Sequence, residues 1–178
     1  MSMPRINVMV LHRFTGSLLA AVALAGVLML SYGLYLQHVV GLEPCPMCIV
    51  QRYAWVLVTL VAGVASLSPS RWRGRQLVLL ALLALLGAGV AARQSWLQWF
   101  PPEIMSCGRD LFGMIEAFPL KRVIPMLFKG SGDCSAVDWT FLGLTIANWS
   151  FLCFMGVAAL AGALLWVRRQ AQARWGFS

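Results

Sequence analysis

Charged residues are scarce in this sequence. Only 11% of its 178 residues are Asp, Glu, Lys or Arg, whereas 60% are apolar. An ordinary soluble domain carries roughly a quarter charged residues. The composition therefore excludes a typical soluble fold, and we expect an integral membrane protein.

Four apolar stretches are long enough to cross, or nearly cross, a hydrocarbon layer of about 30 Å. They cover residues of about 16–36, 48–67, 77–96 and 149–167. Arg5 and Arg13 precede the first stretch, as in a signal peptide, but the stretch is too long for one and no small-residue cleavage pattern clearly ends it. We predict an all-α membrane protein, a four-transmembrane-helix bundle that forms a single integral membrane domain over 1–178.

Acidic residues are the rarest charged class, and their positions predict the orientation. All six acids fall in the segments of about 37–47 and 97–148. In the other three polar segments every charged residue is basic, namely Arg5, Arg13, Arg71, Arg73, Arg75, Arg168, Arg169 and Arg174. The positive-inside rule then makes both termini cytoplasmic and the two acidic segments outer loops. The net charge of +8 reflects this topology, with anionic lipid headgroups as counter-charge, and no nucleic-acid partner is expected.

Cysteines are few, but four of them lie in the two predicted outer loops. Cys45 and Cys48 form a CxxC pair where the second apolar stretch begins, and Cys107 and Cys134 lie in the long loop. Thiols that face an oxidising compartment pair into disulfides. The pattern predicts thiol chemistry at the outer face, whereas Cys153, inside the fourth stretch, is interpreted as a small buried apolar residue.

Histidine is nearly absent, with two residues in the chain, and this argues against metal interpretations of the CxxC pair. Structural zinc needs four clustered Cys or His ligands, and c-type haem attachment needs His where Ile49 stands. A structural disulfide stays open for Cys107 and Cys134, which would close a sizeable loop. It is less attractive for Cys45 and Cys48, because so short a loop restrains the unfolded chain weakly.

The residues around Cys48 favour a reactive thiolate. Pro44 and Pro46 suit the entry to a helix whose first turn holds Cys48, and a helix N-terminus stabilises negative charge. Arg52 follows on the same helical face, roughly 6 Å deeper. It can snorkel toward the outer headgroups. Alternatively, it can favour the Cys48 thiolate and stabilise negative charge on an electron acceptor.

The electron acceptor is expected to dissolve in lipid. The sequence shows no nucleotide-binding glycine loop, haem-ligation pattern or metal cluster, so electrons that reach Cys48 must pass to a carrier in the membrane. A quinone is the natural candidate.

The long outer loop contains a second predicted element. Apolar residues follow helical spacing at Leu111, Met114, Ile115 and Phe118, and a mixed apolar and basic run follows over 121–129. This pattern predicts a short interfacial helix lying on the bilayer. The glycine-containing run before Cys134 predicts a flexible approach that lets its sulfur reach more than one partner.

The sequence resembles the bacterial disulfide bond formation protein B family, DsbB, in three segments. They are 37–52 (QHVVGLEPCPMCIVQR), the surroundings of Cys107, and 132–144 (GDCSAVDWTFLGL). The likeness covers nearly the whole chain. It implies a bundle in the bacterial inner membrane, with periplasmic cysteine loops, that reoxidises a soluble DsbA-like thioredoxin-fold oxidase. The electrons would pass to ubiquinone or menaquinone.

The resemblance also implies a role for each cysteine of the outer loops. Cys107 would form the mixed disulfide with the reduced partner, and Cys134, released from Cys107, would exchange with Cys45. Cys48 would then face the quinone as a thiolate, assisted by Arg52.

One position departs from the family pattern. Many members carry a histidine near the end of the third helix, in a pattern like RHxxLQ, whereas this chain has RQSWLQ over 93–98. Gln94 can donate a hydrogen bond to a quinone oxygen, but it cannot titrate or deliver a proton near neutral pH. Gln94 therefore joins Arg52 as a candidate quinone-binding residue, and His38 is a weaker alternative donor.

Two other functions stay open at this point. One is a related membrane oxidoreductase with the same electron path but a dedicated partner. The other is a non-enzymatic membrane protein whose cysteines only staple the long loop.

Overall fold

The computed structural model of the chain describes residues 3–42, 44–100, 137 and 139–175. These residues form four long helices and one small hairpin. The helices are α1 (Met3–His38), α2 (Pro46–Leu67), α3 (Ser70–Trp99) and α4 (Ile146–Trp175). The hairpin pairs β1 (Thr140–Phe141) with β2 (Leu144–Thr145) directly before α4.

Each of the four described helices contains a stretch long and apolar enough to cross a membrane. The stretches are Arg13–His38, Pro46–Leu67, Ser70–Trp99 and Ile146–Ala173. The prediction of an all-α, four-helix membrane bundle is therefore confirmed. The predicted interfacial helix falls within 101–136 and lies outside the described residues.

The helices extend beyond the apolar stretches that predicted them. Helix α3 begins at Ser70, directly after Pro69, rather than near residue 77. Arg71, Arg73 and Arg75 were expected in a polar segment that links the second and third helices, and this is wrong, since all three belong to the first turns of α3. Hydropathy detects the part of a helix that fits in lipid, whereas arginine is a good helix former outside it.

Arg73 stabilises the turn between α2 and α3. Its side chain is 3% exposed. Its Nε donates to the carbonyl of Ala65 at 3.0 Å, and its Nη2 donates to those of Ser66 and Ser68 at 3.2 and 2.8 Å. The last carbonyls of a helix have no partner within it and carry partial negative charge. A buried guanidinium from α3 thus caps the end of α2.

The helices pack in chain order, with α2 against α1 and α3, and α3 against α4. Two glycines permit the closest approaches. A Cβ at Gly26 would collide with Thr59 Oγ1 of α2, and one at Gly87 would lie 2.6 Å from ring carbons of Phe154 in α4. Phe154 is fully buried and stacks on Trp55 with ring centroids 4.4 Å apart. This apolar core fixes α2, α3 and α4 relative to one another.

The hairpin was not predicted, because its residues were assigned to the outer loop. Leu142 and Gly143 form its turn with φ of 52° and 77°, as a two-residue turn with two positive φ values requires. Thr145 then joins three elements. Its Oγ1 accepts the N–H of Asn148 at 3.3 Å, which caps α4, and donates to Gln98 Oε1 of α3 at 2.7 Å.

Candidate functional site

Cys45 and Cys48 lie at the very start of α2. Cys45 is the residue before the first helical position, Pro46 opens the helix, and Cys45 Sγ accepts the N–H of Cys48 at 3.3 Å. Proline suits this position because the first N–H groups of a helix have no partner within it. The prediction that the first turn holds Cys48 is confirmed.

The two sulfur atoms are direct neighbours. Cys45 Sγ and Cys48 Sγ lie 2.7 Å apart and share a hydrogen bond. Cys45 is 5% exposed, whereas Cys48 is only half-buried. The helix therefore presents an adjacent pair of sulfurs, of which Cys48 is the more accessible.

A pair of glutamines from two helices lies beside these sulfurs. Gln94 of α3 donates from Nε2 to Cys48 Sγ at 3.1 Å and to Cys45 Sγ at 3.3 Å. Its Oε1 accepts a hydrogen bond from Gln51 Nε2 of α2 at 2.6 Å. Both glutamines are buried, at 3% and 4% exposed. The donor end of the Gln94 amide thus faces both thiols.

Arg52 bridges α2 and α1 one turn beyond Cys48. Its Nη1 donates to Gln37 Oε1 and its Nη2 donates to the carbonyl of Gly33 at 3.1 Å. These two bonds fix the guanidinium against α1, and the side chain is half-buried. The positive charge is therefore held in place among the helices.

A cavity of about 390 Å³ connects these residues. It is bounded by α1, the start of α2, the end of α3, the hairpin and α4, and its lining is mostly apolar. The polar and sulfur-bearing residues of its wall include Gln37, Cys45, Cys48, Gln51, Arg52, Gln94, Gln98, Thr145, Ser150 and Cys153. Small-molecule sites typically have this form, with an apolar wall and a few placed polar groups.

The structure brings four of the six predicted site residues to this cavity: Cys45, Cys48, Arg52 and Gln94. The other two, Cys107 and Cys134, lie outside the described residues. Cys153 of α4 also lines the cavity and is half-buried.

Sequence reasoning missed Gln51. One signal was available, since a glutamine in an apolar stretch, three residues after Cys48, lies on the same helical face and needs a buried partner. That the partner is Gln94 depends on how α2 and α3 pack, and the sequence does not show this.

Comparison with known proteins decides the family. The model for disulfide bond formation protein DsbB matches residues 15–164. The chain belongs to the DsbB family. The matched range contains all four described helices in large part, together with every cysteine of the chain.

Relatives named disulfide bond formation protein B match most of this chain. The one from Polaromonas sp. strain JS666 is 65% identical over 157 residues, which cover 86% of this chain and 92% of that protein. The one from Paracidovorax citrulli strain AAC00-1 is 60% identical over 161 residues, or 90% of this chain and 91% of that protein. The DsbB family and the four apolar helices together identify this chain as a multi-pass membrane protein that takes part in disulfide bond formation.

Proposed function

We propose that this DsbB-family protein is a protein dithiol:quinone oxidoreductase. It reoxidises a soluble, periplasmic DsbA-like oxidase and transfers the electrons to a membrane quinone, either ubiquinone or menaquinone. In the net reaction, a partner dithiol and a quinone become a partner disulfide and a quinol, with two electrons and two protons transferred. The adjacent Cys45 and Cys48 sulfurs in the wall of an apolar cavity carry this proposal.

The residues around the cavity fit a quinone. Its volume of about 390 Å³ lies within the range of small-molecule sites. Apolar side chains such as Leu30, Leu36 and Ile146 line it and suit a ring and a hydrocarbon tail. Arg52 and Gln94 are the residues that would hold the polar end, through charge and hydrogen bonding. A bound quinone supplies the acceptor for two electrons and two protons when the Cys45–Cys48 disulfide forms.

The chain's own groups favour a thiolate at Cys48. It lies in the first turn of α2, where unpaired N–H groups carry partial positive charge. The Gln94 amide adds a donor at 3.1 Å, and hydrogen bonds to an ionised acceptor are stronger than those to a neutral one. A thiolate is the reactive form of cysteine, and Cys45 Sγ stands next to it.

Cys107 and Cys134 would complete the relay, as the family resemblance implies. A partner thiolate attacks Cys107 of a Cys107–Cys134 disulfide, and Cys134 leaves and attacks Cys45 of the Cys45–Cys48 disulfide, releasing Cys48 as a thiolate. The second partner thiol releases Cys107 and completes the partner disulfide. Cys107 then displaces Cys45 from Cys134, which restores the loop disulfide and leaves Cys45 and Cys48 as a dithiol.

The distribution of arginines supports an orientation for the bundle in the bacterial inner membrane. Arg168 Nη1 donates to Ser70 Oγ at 3.2 Å, which joins the C-terminal third of α4 to the start of α3. Arg71 and Arg75 lie in the same first turns of α3, at the opposite end of that helix from Gln94. By the positive-inside rule this end faces the cytoplasm, and the cysteine pair faces the periplasm.

Quinol formation by the purified full-length protein tests the proposal. We expect a reduced DsbA-like protein and a soluble quinone analogue to yield one quinol for each partner disulfide formed. Cys48→Ser should abolish both products. No quinol formation by the unaltered protein would overturn the proposal and favour cysteines that only staple the loop. Repeating the assay with a different soluble thioredoxin-fold oxidase tests for a dedicated partner.

A further inference from the structure

Gln51 hydrogen-bonds the acceptor end of the Gln94 side chain. Gln51 Nε2 donates to Gln94 Oε1 at 2.6 Å, while Gln94 Nε2 points at Cys48 Sγ and Cys45 Sγ at 3.1 and 3.3 Å. Gln51 is 4% exposed and Gln94 is 3% exposed. A buried polar group needs a hydrogen-bond partner, and each end of the Gln94 amide has one.

This orientation matters because a primary amide has a donor end and an acceptor end. If the terminal amide group of Gln94 were flipped, so that its nitrogen and oxygen exchanged places, its carbonyl oxygen would face the sulfurs. A carbonyl oxygen accepts from a thiol but repels a thiolate, and the effect is strong where little water screens it. The direction of the amide therefore decides whether it favours the ionised or the neutral form of Cys48.

We propose that Gln51 is a positioning residue, which holds the donor end of Gln94 on the two sulfurs and so increases the thiolate fraction of Cys48. This inference rests on the proposed function, in which the Cys48 thiolate is the reacting group. Gln51 acts through Gln94, because its donated hydrogen bond ends on Gln94 Oε1. Since neither glutamine titrates, the donor stays in place across the working pH range.

Other ionisable groups of the cavity wall are few among the described residues. They are Tyr32 of α1, Cys45, Cys48 and Arg52 at the start of α2, and Cys153 of α4. Arg52 is the cation of this set, and its hydrogen bonds to Gln37 and Gly33 do not involve either glutamine. Replacing Gln51 thus leaves the charges of the wall unchanged, and a shift in Cys48 titration reports the amide alone.

The test measures the pH midpoint of Cys48 alkylation in full-length, reduced, quinone-free protein. A background with Cys107→Ser, Cys134→Ser and Cys153→Ser limits alkylation to the pair, and peptide mass spectrometry reports Cys48. Methionine replaces glutamine because it is neutral, unbranched and similar in length. We expect Gln51→Met to move the midpoint upward by about one pH unit, the size expected for a weakened hydrogen bond to a charged group.

A double-mutant cycle shows whether the effect passes through Gln94. In a Gln94→Met background, Gln51→Met should add no further shift, because there is no amide left to orient. Gln76→Met is the matched control. Gln76 lies in α3 with Gln94, but at the opposite end of that helix, where it donates to Ser68 Oγ. The alkylation midpoint of Cys48 in Gln76→Met should equal that of the parent protein.

Three results would overturn the assignment. They are an unchanged midpoint in Gln51→Met, a fully additive shift in the double variant, or an equal shift in Gln76→Met. Unfolding temperatures of all variants are compared, and Gln51→Leu, which is also neutral and cannot donate, replaces Gln51→Met if the latter fails to fold. Alkylation needs no quinone. If the alkylation midpoints are as expected but the protein forms no quinol, only the proposed function is rejected.

Discussion

Gln94 Nε2 lies 3.1 Å from Cys48 Sγ, which joins the end of α3 to the first turn of α2. The contact brings a neutral amide to the sulfur that we propose gives up electrons. An amide can donate a hydrogen bond but cannot exchange a proton near neutral pH. This combination distinguishes the site from one with a histidine at position 94.

Replacing Gln94 by histidine should add a titrating group to the site. We expect the rate of quinol formation by Gln94→His to gain an inflection at pH ~6.5, the usual range of imidazole. Below it the imidazolium donates to the Cys48 thiolate, and above it the positive charge is lost. The measurement is the pH profile of quinol formation, with Gln76→His as the control. Superimposable profiles for Gln94→His and the parent would contradict the role of residue 94.

Arg52→Met tests whether the bridging arginine holds the quinone. Loss of a charge-assisted hydrogen bond costs about 1.5–3 kcal/mol, so the apparent KM for quinone should rise roughly tenfold or more. Arg52→Lys, which keeps the charge but not the planar fork, should give a smaller rise. The quinone concentration dependence of turnover measures this. An unchanged KM in Arg52→Met would show that Arg52 does not hold the quinone. Its role would then be to snorkel toward the outer headgroups and to bond to Gln37 and Gly33.

The loop cysteines are tested in cells, where the partner must be oxidised. Cys107→Ser and Cys134→Ser should each leave the DsbA-like partner reduced, because the relay from the partner to Cys45 is broken. The cavity residues are untouched, so both purified variants should still bind quinone. Ser106→Ala, next to Cys107, is the control and should leave the partner oxidised. Normal partner oxidation in either cysteine variant would remove that cysteine from the pathway.

Two glycines of α3 give a matched test of the packing. A Cβ at Gly87 would lie 2.6 Å from the Phe154 ring, whereas one at Gly89 meets no atom within 4 Å. Overpacking a core costs about 1–3 kcal/mol, so Gly87→Ala should unfold at a lower temperature in detergent, and Gly89→Ala should not. Equal stability of both variants would show that the α3–α4 contact is looser than described.

The sequence predicted the helices because each apolar stretch is long and nearly free of charge. It did not predict the helix ends, since Arg71, Arg73 and Arg75 continue α3 outside the apolar part. The hairpin at Leu142 and Gly143 was also missed, because two positive φ values at a Leu-Gly pair leave only a weak turn signal.

The site was predictable to the extent that its residues are local. Cys48 and Arg52 share one face of a single helix, so their spacing was sufficient to group them. Gln51 and Gln94 are 43 residues apart, and only the packing of α2 on α3 brings them together. The sequence supplied candidates from each helix, and the tertiary structure supplied the contact between them.

In the proposed function, Cys45 and Cys48 need no other cysteine to pass electrons to a quinone. This step can be measured in a single turnover of full-length protein carrying Cys107→Ser, Cys134→Ser and Cys153→Ser. The reduced protein is mixed without oxygen with one equivalent of quinone, and both quinol and remaining thiols are counted. We predict one quinol for every two thiols lost, with a Cys45–Cys48 disulfide as the product. Thiols that stay reduced beside unreacted quinone would show that the pair does not reduce a quinone.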